Sequence, residues 1–214
     1  MRISILLLAI SAAFAADTNS IQASGSATIN VKPDQATLSV GVVTQGLTAK
    51  DAADLNAVQA DAMIKALDNL LKGAGTIQTI SYSLYPRYTN NGTVISGYTA
   101  TNTVQVVTSN LSLVGPLIDQ AGANQISGPY FGLQNPEPQR QQALAAAAKQ
   151  ALAHAAAIAS GLGAKTGAVL SALEGSTYAP IPSMAGAATS TGTPIQTGTV
   201  SVTANVTVTV ALVQ

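Results

Sequence analysis

The chain has no cysteine and no tryptophan, a single histidine, two phenylalanines, and only 8% charged residues among its 214. Without cysteine there are no disulfides, no thiol catalysis and no cysteine-held metal or cluster. Soluble proteins usually carry about a quarter charged residues. Nine Lys and Arg balance nine Asp and Glu, so no electrostatic attraction draws the chain to nucleic acid or to an acidic membrane surface. Its surface must be built from Thr, Ser, Asn, Gln and Ala. Hydrophobic residues make up 47%, enough for a globular fold with one sizeable core or two small ones.

The N-terminus reads as a secretory signal. Arg2 supplies the positive charge, a short apolar run follows, and Ala13 and Ala15 are the small residues that signal peptidase accepts. Residues 1–15 are expected to be removed between Ala15 and Ala16, with 16–20 as a short tail. The apolar run is shorter than the ~20 residues a membrane span needs, so stable insertion of the monomer is not expected. No cysteine follows it to carry a lipid. Loss of Arg2 leaves eight basic and nine acidic residues, a formal charge of −1. A periplasmic or secreted location follows.

Residues 21–214 read as one domain. Ile21 to Val31 and Ala36 to Thr44 follow the period-two pattern of strands, separated by Pro33 and Asp34. A helix runs from Thr48, whose spacing to Asp51 resembles a capping box, to Gly73. Its apolar stripe is expected at Leu55, Val58, Ala62, Ala66 and Leu70, with Met63, Leu67 and Leu71 beside them. Asn91 and Gly92 join two β-patterned runs, a strong hairpin signal, and Pro86 belongs near the open end of the ribbon or on an edge because it has no amide hydrogen to give.

A short helix near Val114 and a strand near Ile126 lead to the surest helix of the chain, 135–163. Alanine is the best helix former; Asn135 can cap the start, Pro136 suits the first turn and Gly161 can stop the helix. Its packing face is expected at Leu144, Ala148, Ala151, Ala155, Ile158 and Leu162. A strand from Val169 and a strongly alternating strand, 198–212, complete the pattern. Between them, 179–197 lacks any period and is expected to be a mobile loop. The fold class is α+β: a largely antiparallel sheet with two long helices and one short helix on one face.

Several blocks resemble the SIMPL-domain family of exported bacterial proteins, which includes an oxidative-stress defence protein and a periplasmic immunogenic antigen. Gly25, Pro33, Asp34 and Gly41 lie in a run similar to the family's opening signature. Tyr85, Pro86, Arg87 and Tyr88, with Gly97, Tyr98 and Asn102, resemble its hairpin; Val114, Gly115 and Asp119 resemble its short helix. Asn124, Gly128 and Phe131, then Ala143, Ala147, Ala151, Ala155 and Gly163, and finally Pro194 and Gly198, continue in the family's order. The resemblance implies export, an α+β fold, homo-oligomeric assembly and a loose link to oxidative or envelope stress. It implies no catalytic residue.

No constellation for chemistry emerges. His154 has Gln150, Ala151, Ala157 and Ile158 as its helical neighbours, with no carboxylate or second ligand among them. Four of the nine acids lie on the first helix and the rest are scattered, so no metal or cofactor site is expected. Asp34 is expected to serve its turn. Tyr82, Tyr85 and Tyr88 cannot share one face of a strand, since their spacing is odd. With Arg87 and Tyr98 they are the candidate ligand or interface residues.

Three readings order themselves on these grounds. First comes an exported, non-enzymatic, self-associating protein, its alternating C-terminal strand ending on an edge that invites pairing. Second is a binding module for a small envelope ligand or glycan, using the tyrosine hairpin and the loop. Third is an enzyme, which needs distant acids or tyrosines gathered around His154.

Overall fold

The computed structural model describes residues 19–89, 92–175, 178–183 and 195–214, with backbone alone at 178–183. The expected signal segment, the Ala15–Ala16 junction and residues 184–194 of the expected loop lie outside the described residues. The α+β class is as the sequence implies, but the strands form two four-stranded antiparallel sheets in place of one. Contacts group the chain into two compact units, each with an apolar cluster of its own. One unit takes in the described parts of 1–27, 144–176 and 205–214; the other takes in those of 28–143 and 177–204.

Strands β1 (Ser20–Val31) and β2 (Gln35–Gly46) flank Pro33 and Asp34 and belong to different sheets. Helix α1 (Ala49–Leu71) begins as its sequence requires. The Thr48 side chain accepts from the Asp51 amide and Asp51 reaches back to the Thr48 amide, which satisfies two donors the first turn leaves open. At its end Lys72 (φ 46°) and the expected Gly73 (φ 83°) both take left-handed conformations. Lys50 pairs with Asp54, whose carboxylate raises the lysine pKa by hydrogen bonding and by charge. Lys65 pairs with Asp61 at 2.6 Å, also on the exposed side.

In this larger unit the sheet order is β3-β4-β2-β5, with β3 (Gly75–Tyr88) and β4 (Ile95–Thr108) forming the hairpin. Pro86 sits on β3, an edge strand, where its missing amide hydrogen costs no ladder bond. A single 3-10 turn leads into α2 (Val114–Gln120), which carries Pro116 in its first turn, and β5 (Gln125–Gly132) follows. Met63, Leu67 and Leu71 of α1 and Val114 and Leu117 of α2 bury against Leu38, Val40, Val104 and Val106. Asp34 serves this unit by accepting from the Gln134 amide at 2.7 Å, while its own amide bonds the Gly132 carbonyl.

The buried face of α1 differs from the expected stripe. Leu55 and Val58 are exposed, while Ala52, Asn56 and Ala60 are buried. The reason is polar. Asn56, fully buried, donates through Nδ2 to the carbonyls of Val42 (3.0 Å) and Ala100 (3.2 Å), and Thr44 Oγ1 donates to the Ala52 carbonyl at 2.8 Å. Two carbonyl acceptors fix which way the amide points.

Helix α3 (Glu137–Gly161) is capped as expected at its start, Asn135 Oδ1 accepting from the Glu137 amide at 3.1 Å. Its stop lies within the expected Gly161–Gly163 segment. Gly163 (φ 73°), not Gly161, takes the left-handed position, and the Ala164 amide returns to the Ala159 carbonyl at 2.9 Å, as in a Schellman motif. The sheet order is β1-β8-β6, built from β6 (Lys165–Glu174) and β8 (Thr199–Val213). β7 (Tyr178–Ser183) pairs with the first part of β8, so the opening residues of the expected loop are a strand. β8 is central, not an edge: it pairs with β1, β6 and β7.

Because Asn56 answers two buried carbonyls, Asn56→Ala should lower stability by ~2 kcal/mol, measured by urea unfolding, whereas Leu55→Ala on the same helix changes it little.

Candidate functional site

Two places hold the residues singled out by sequence, one in each unit. The first is the hairpin of the larger unit. Directly opposed residues share a sheet face, so the register assigns each side chain a side. Tyr82 opposes Asn102, Leu84 opposes Ala100 and Pro86 opposes Tyr98, all on the face that α1 covers further along. Tyr85 opposes Thr99 and Arg87 opposes Gly97 on the other face. Tyr88 pairs with Ile95 beyond a register shift. The candidate set is therefore divided, as odd spacing requires.

On the face away from α1, Tyr85, Thr99 and Gln45 form a row across β3, β4 and β2, and Arg87 donates a hydrogen bond to Gln45 Oε1. Tyr85 is 67% exposed. This row offers an aromatic face, a hydroxyl, an amide and one guanidinium, which suits a neutral polar ligand better than an ionic one. Tyr82 and Tyr88 are also exposed and Tyr98 is half-buried.

The second place is the seam between α3 and β1 in the smaller unit. Ala147, Ala151, Ala155 and Ala159 are fully buried with Ile21, Ala23, Val206, Val208 and Val210. Of the expected packing face, Ala151 and Ala155 are buried and Leu144 and Ala148 are partly so. Ile158 and Leu162 are 44% and 67% exposed and do not belong to it. The stripe follows a strict spacing of four, and small side chains were selected over large ones by how near the helix comes. A Cβ placed on Gly25 of β1 would lie 2.2 Å from the Ala147 carbonyl oxygen and 2.5 Å from the Ala151 nitrogen.

Side chains one turn along from those alanines close the edge of β1. The Asn19 carbonyl accepts from the Leu212 amide of β8, so by strand alternation the backbone groups of Ser24 and Ser26 point away from β8. Both find partners on α3. The Ser26 amide donates to Gln150 Oε1 at 2.7 Å, and His154 Nδ1 stands 2.8 Å from the Ser24 carbonyl oxygen. A carbonyl can only accept, so Nδ1 carries the proton in that bond. The sole histidine is thus a backbone cap, placed by packing. Sequence reasoning missed Gly25, Gln150 and Asn56. The one available signal was a glycine inside a strand pattern facing a helix with alanine at every fourth place.

Among the described residues no three His, Asp or Glu side chains gather to hold a metal ion, and no helix is long and apolar enough to cross a membrane. Gly25→Ala should therefore act through packing alone and destabilise the fold by ~3 kcal/mol in chemical unfolding. Gln150→Ala should leave the fold intact and speed hydrogen exchange at the Ser26 amide by about tenfold, which a resolved exchange experiment reads directly.

The chain has relatives among known proteins. A family profile described as SIMPL, a protein of unknown function (DUF541), matches residues 21–210. The uncharacterized protein YggE of Edwardsiella ictaluri (strain 93-146) is 32% identical over 157 residues, covering 69% of this chain and 64% of the relative. That of Escherichia coli (strain K12) is 30% identical over 172 residues, covering 76% of this chain and 68% of the relative. The chain thus spans slightly less than two thirds of the Edwardsiella protein's length. With the match running through both units, the chain belongs to the SIMPL family.

Proposed function

We propose that the protein is an exported, non-enzymatic envelope protein that associates with copies of itself, with a loose link to oxidative or envelope stress. One observation carries the self-association: β6, an outer strand of its sheet, is exposed along all ten residues. Strands left in that condition pair with other chains unless something blunts them. Export rests on the Met1–Ala16 pattern, and the stress link on family resemblance alone. That His154 is held by the Ser24 carbonyl, with no cluster of three His, Asp or Glu side chains among the described residues, supports a non-enzymatic role.

A second reading is favoured by the Tyr85, Thr99 and Gln45 row with Arg87: a binding face for a neutral glycan or similar envelope ligand. An exposed ring flanked by hydroxyl and amide groups fits stacking plus hydrogen bonding to a sugar. In that case Tyr85→Ala abolishes retention on an immobilised neutral oligosaccharide while thermal unfolding stays within ~0.5 kcal/mol of the parent.

Sedimentation and light scattering on the chain purified from the cell envelope test the leading reading. The expected outcome is a mass of at least a dimer at micromolar concentration, with an N-terminus at Ala16 by mass spectrometry. A strict monomer would remove self-association, and an intact Met1 would remove cleavage.

A further inference from the structure

Helix α1 meets β2 and β4 through Asn56, and the meeting leaves two buried oxygens without a donor. Asn56 is fully buried, and its Nδ2 gives its hydrogens to the carbonyls of Val42 and Ala100. Its Oδ1 has no hydrogen-bond partner among the described residues. Oδ1 of Asn102, on β4, is likewise buried and without a partner. Both belong to carboxamides, whose oxygen can only accept. A buried acceptor left unanswered loses its hydration without replacement, which is why such groups are rare in folded proteins.

The register places these two oxygens in one seam. Val42 and Asn102 oppose each other in the β2–β4 ladder, so their side chains leave the same face of the sheet, and Val42 is buried there in the cluster that includes Met63 of α1. Asn56 Nδ2 holds the Val42 carbonyl itself at 3.0 Å and, at 3.2 Å, the carbonyl of Ala100, two residues from Asn102 on the same strand. Same-face positions two residues apart on a strand are ~7 Å apart, a gap that two hydrogen bonds of ~2.8 Å through one small molecule can cross.

The chemistry of the seam selects the molecule. Neither oxygen can give the other a hydrogen, so both need an outside donor. Thr44, the buried hydroxyl of this face, gives its hydrogen to the Ala52 carbonyl at 2.8 Å, and Ala60, one turn along α1 from Asn56, has no side-chain donor. A hard cation is a poor fit, because it takes about six or more oxygens and these two are neutral. A water molecule has one hydrogen for each. We infer that Asn56 Oδ1 and Asn102 Oδ1 form the site of one resident water, which donates to both and ties α1 to β4. Asn102 is half-buried, and Tyr82, opposite it on β3, is exposed, so the site lies at the rim of the core and its water exchanges with solvent without unfolding.

An atomic-resolution crystal structure of the exported chain, with water–protein cross-relaxation in solution, tests the site. The expected result is one ordered water within ~3 Å of both oxygens, and in NMR a cross-peak of bound-water sign at the Asn56 side-chain amide. Asn102→Leu removes one acceptor and should abolish that cross-peak, while the Asn56 amide hydrogens keep the chemical shifts set by their bonds to Val42 and Ala100. The two residues should also be coupled. When Asn56→Leu and Asn102→Leu are combined, the unfolding equilibrium constant should fall about tenfold short of the product of the single effects, since the first change already releases the water. Should either variant fail to fold, the crystal structure and the cross-peak of the parent chain decide alone. Three results would each overturn the site: Asn102 Nδ2 bonded directly to Asn56 Oδ1, a water touching only one of the two oxygens, or additive effects of the two substitutions.

Discussion

Gly25 lies so near the backbone of Ala147 and Ala151 that a single methyl group would collide with a carbonyl oxygen and an amide nitrogen. Much of the smaller unit follows from that approach. It explains why α3 buries alanine at every fourth position and leaves Ile158 and Leu162 in solvent. A helix resting on large side chains would stand further from the strand. At the shorter distance the next side chains along, Gln150 and His154, reach the outer backbone of β1. Hydrophobic gain from alanine is small per residue, so the seam has to compensate through close packing and through hydrogen bonds that a looser contact could not make.

The larger unit solves a related problem by other means. Its helix α1 has ordinary large apolar residues, Met63, Leu67 and Leu71, over one half of its length. Over the other half, Ala52 and Asn56 meet β2 and β4, and the contact is closed by an amide and a hydroxyl: Asn56 to two strand carbonyls, Thr44 to the helix carbonyl of Ala52. Gly46 shows the same economy of space, since a Cβ there would come within 2.4 Å of the Ala52 nitrogen. In both units small residues bring helix backbone close to strand backbone, and polar side chains then satisfy groups that the proximity would otherwise strand.

Which features were legible in the sequence follows the range of the forces that set them. The Thr48 and Asp51 cap, the Asn135 cap and the β3–β4 hairpin depend on residues a few places apart, and each is present. Pro86 on an edge was legible because its missing hydrogen is a property of the residue itself. The faces of the helices were not legible from hydropathy. The expected face put Ile158 and Leu162 inward with Leu144, Ala148, Ala151 and Ala155, but the distance to β1 is set by Gly25, far away in sequence, and those two are exposed. Asn56 is buried for carbonyls that exist only once β2 and β4 have paired. Alternation in β8 reported correctly that one face is buried; it carries no information about flanks, and β8 has neighbours on both. The division of strands between two sheets likewise depends on pairings distant in sequence.

The shortage of charge and the condition of β6 are connected. Natural sheets commonly protect an outer strand with a lysine in mid-strand, whose desolvation another chain would have to overcome. A chain with nine Lys and Arg in 214 residues has few to place there, and β6 keeps its charges at Lys165 and Glu174, the ends. β1 is closed instead by Gln150 and His154 of α3, and only because the alanine seam brings that helix within reach. Among the described residues no comparable helix covers β6, whose side chains are exposed throughout. With mid-strand charge absent and the capping helix committed to β1, the two register shifts against β8 are the protection β6 shows along a strand whose valine and leucines are exposed.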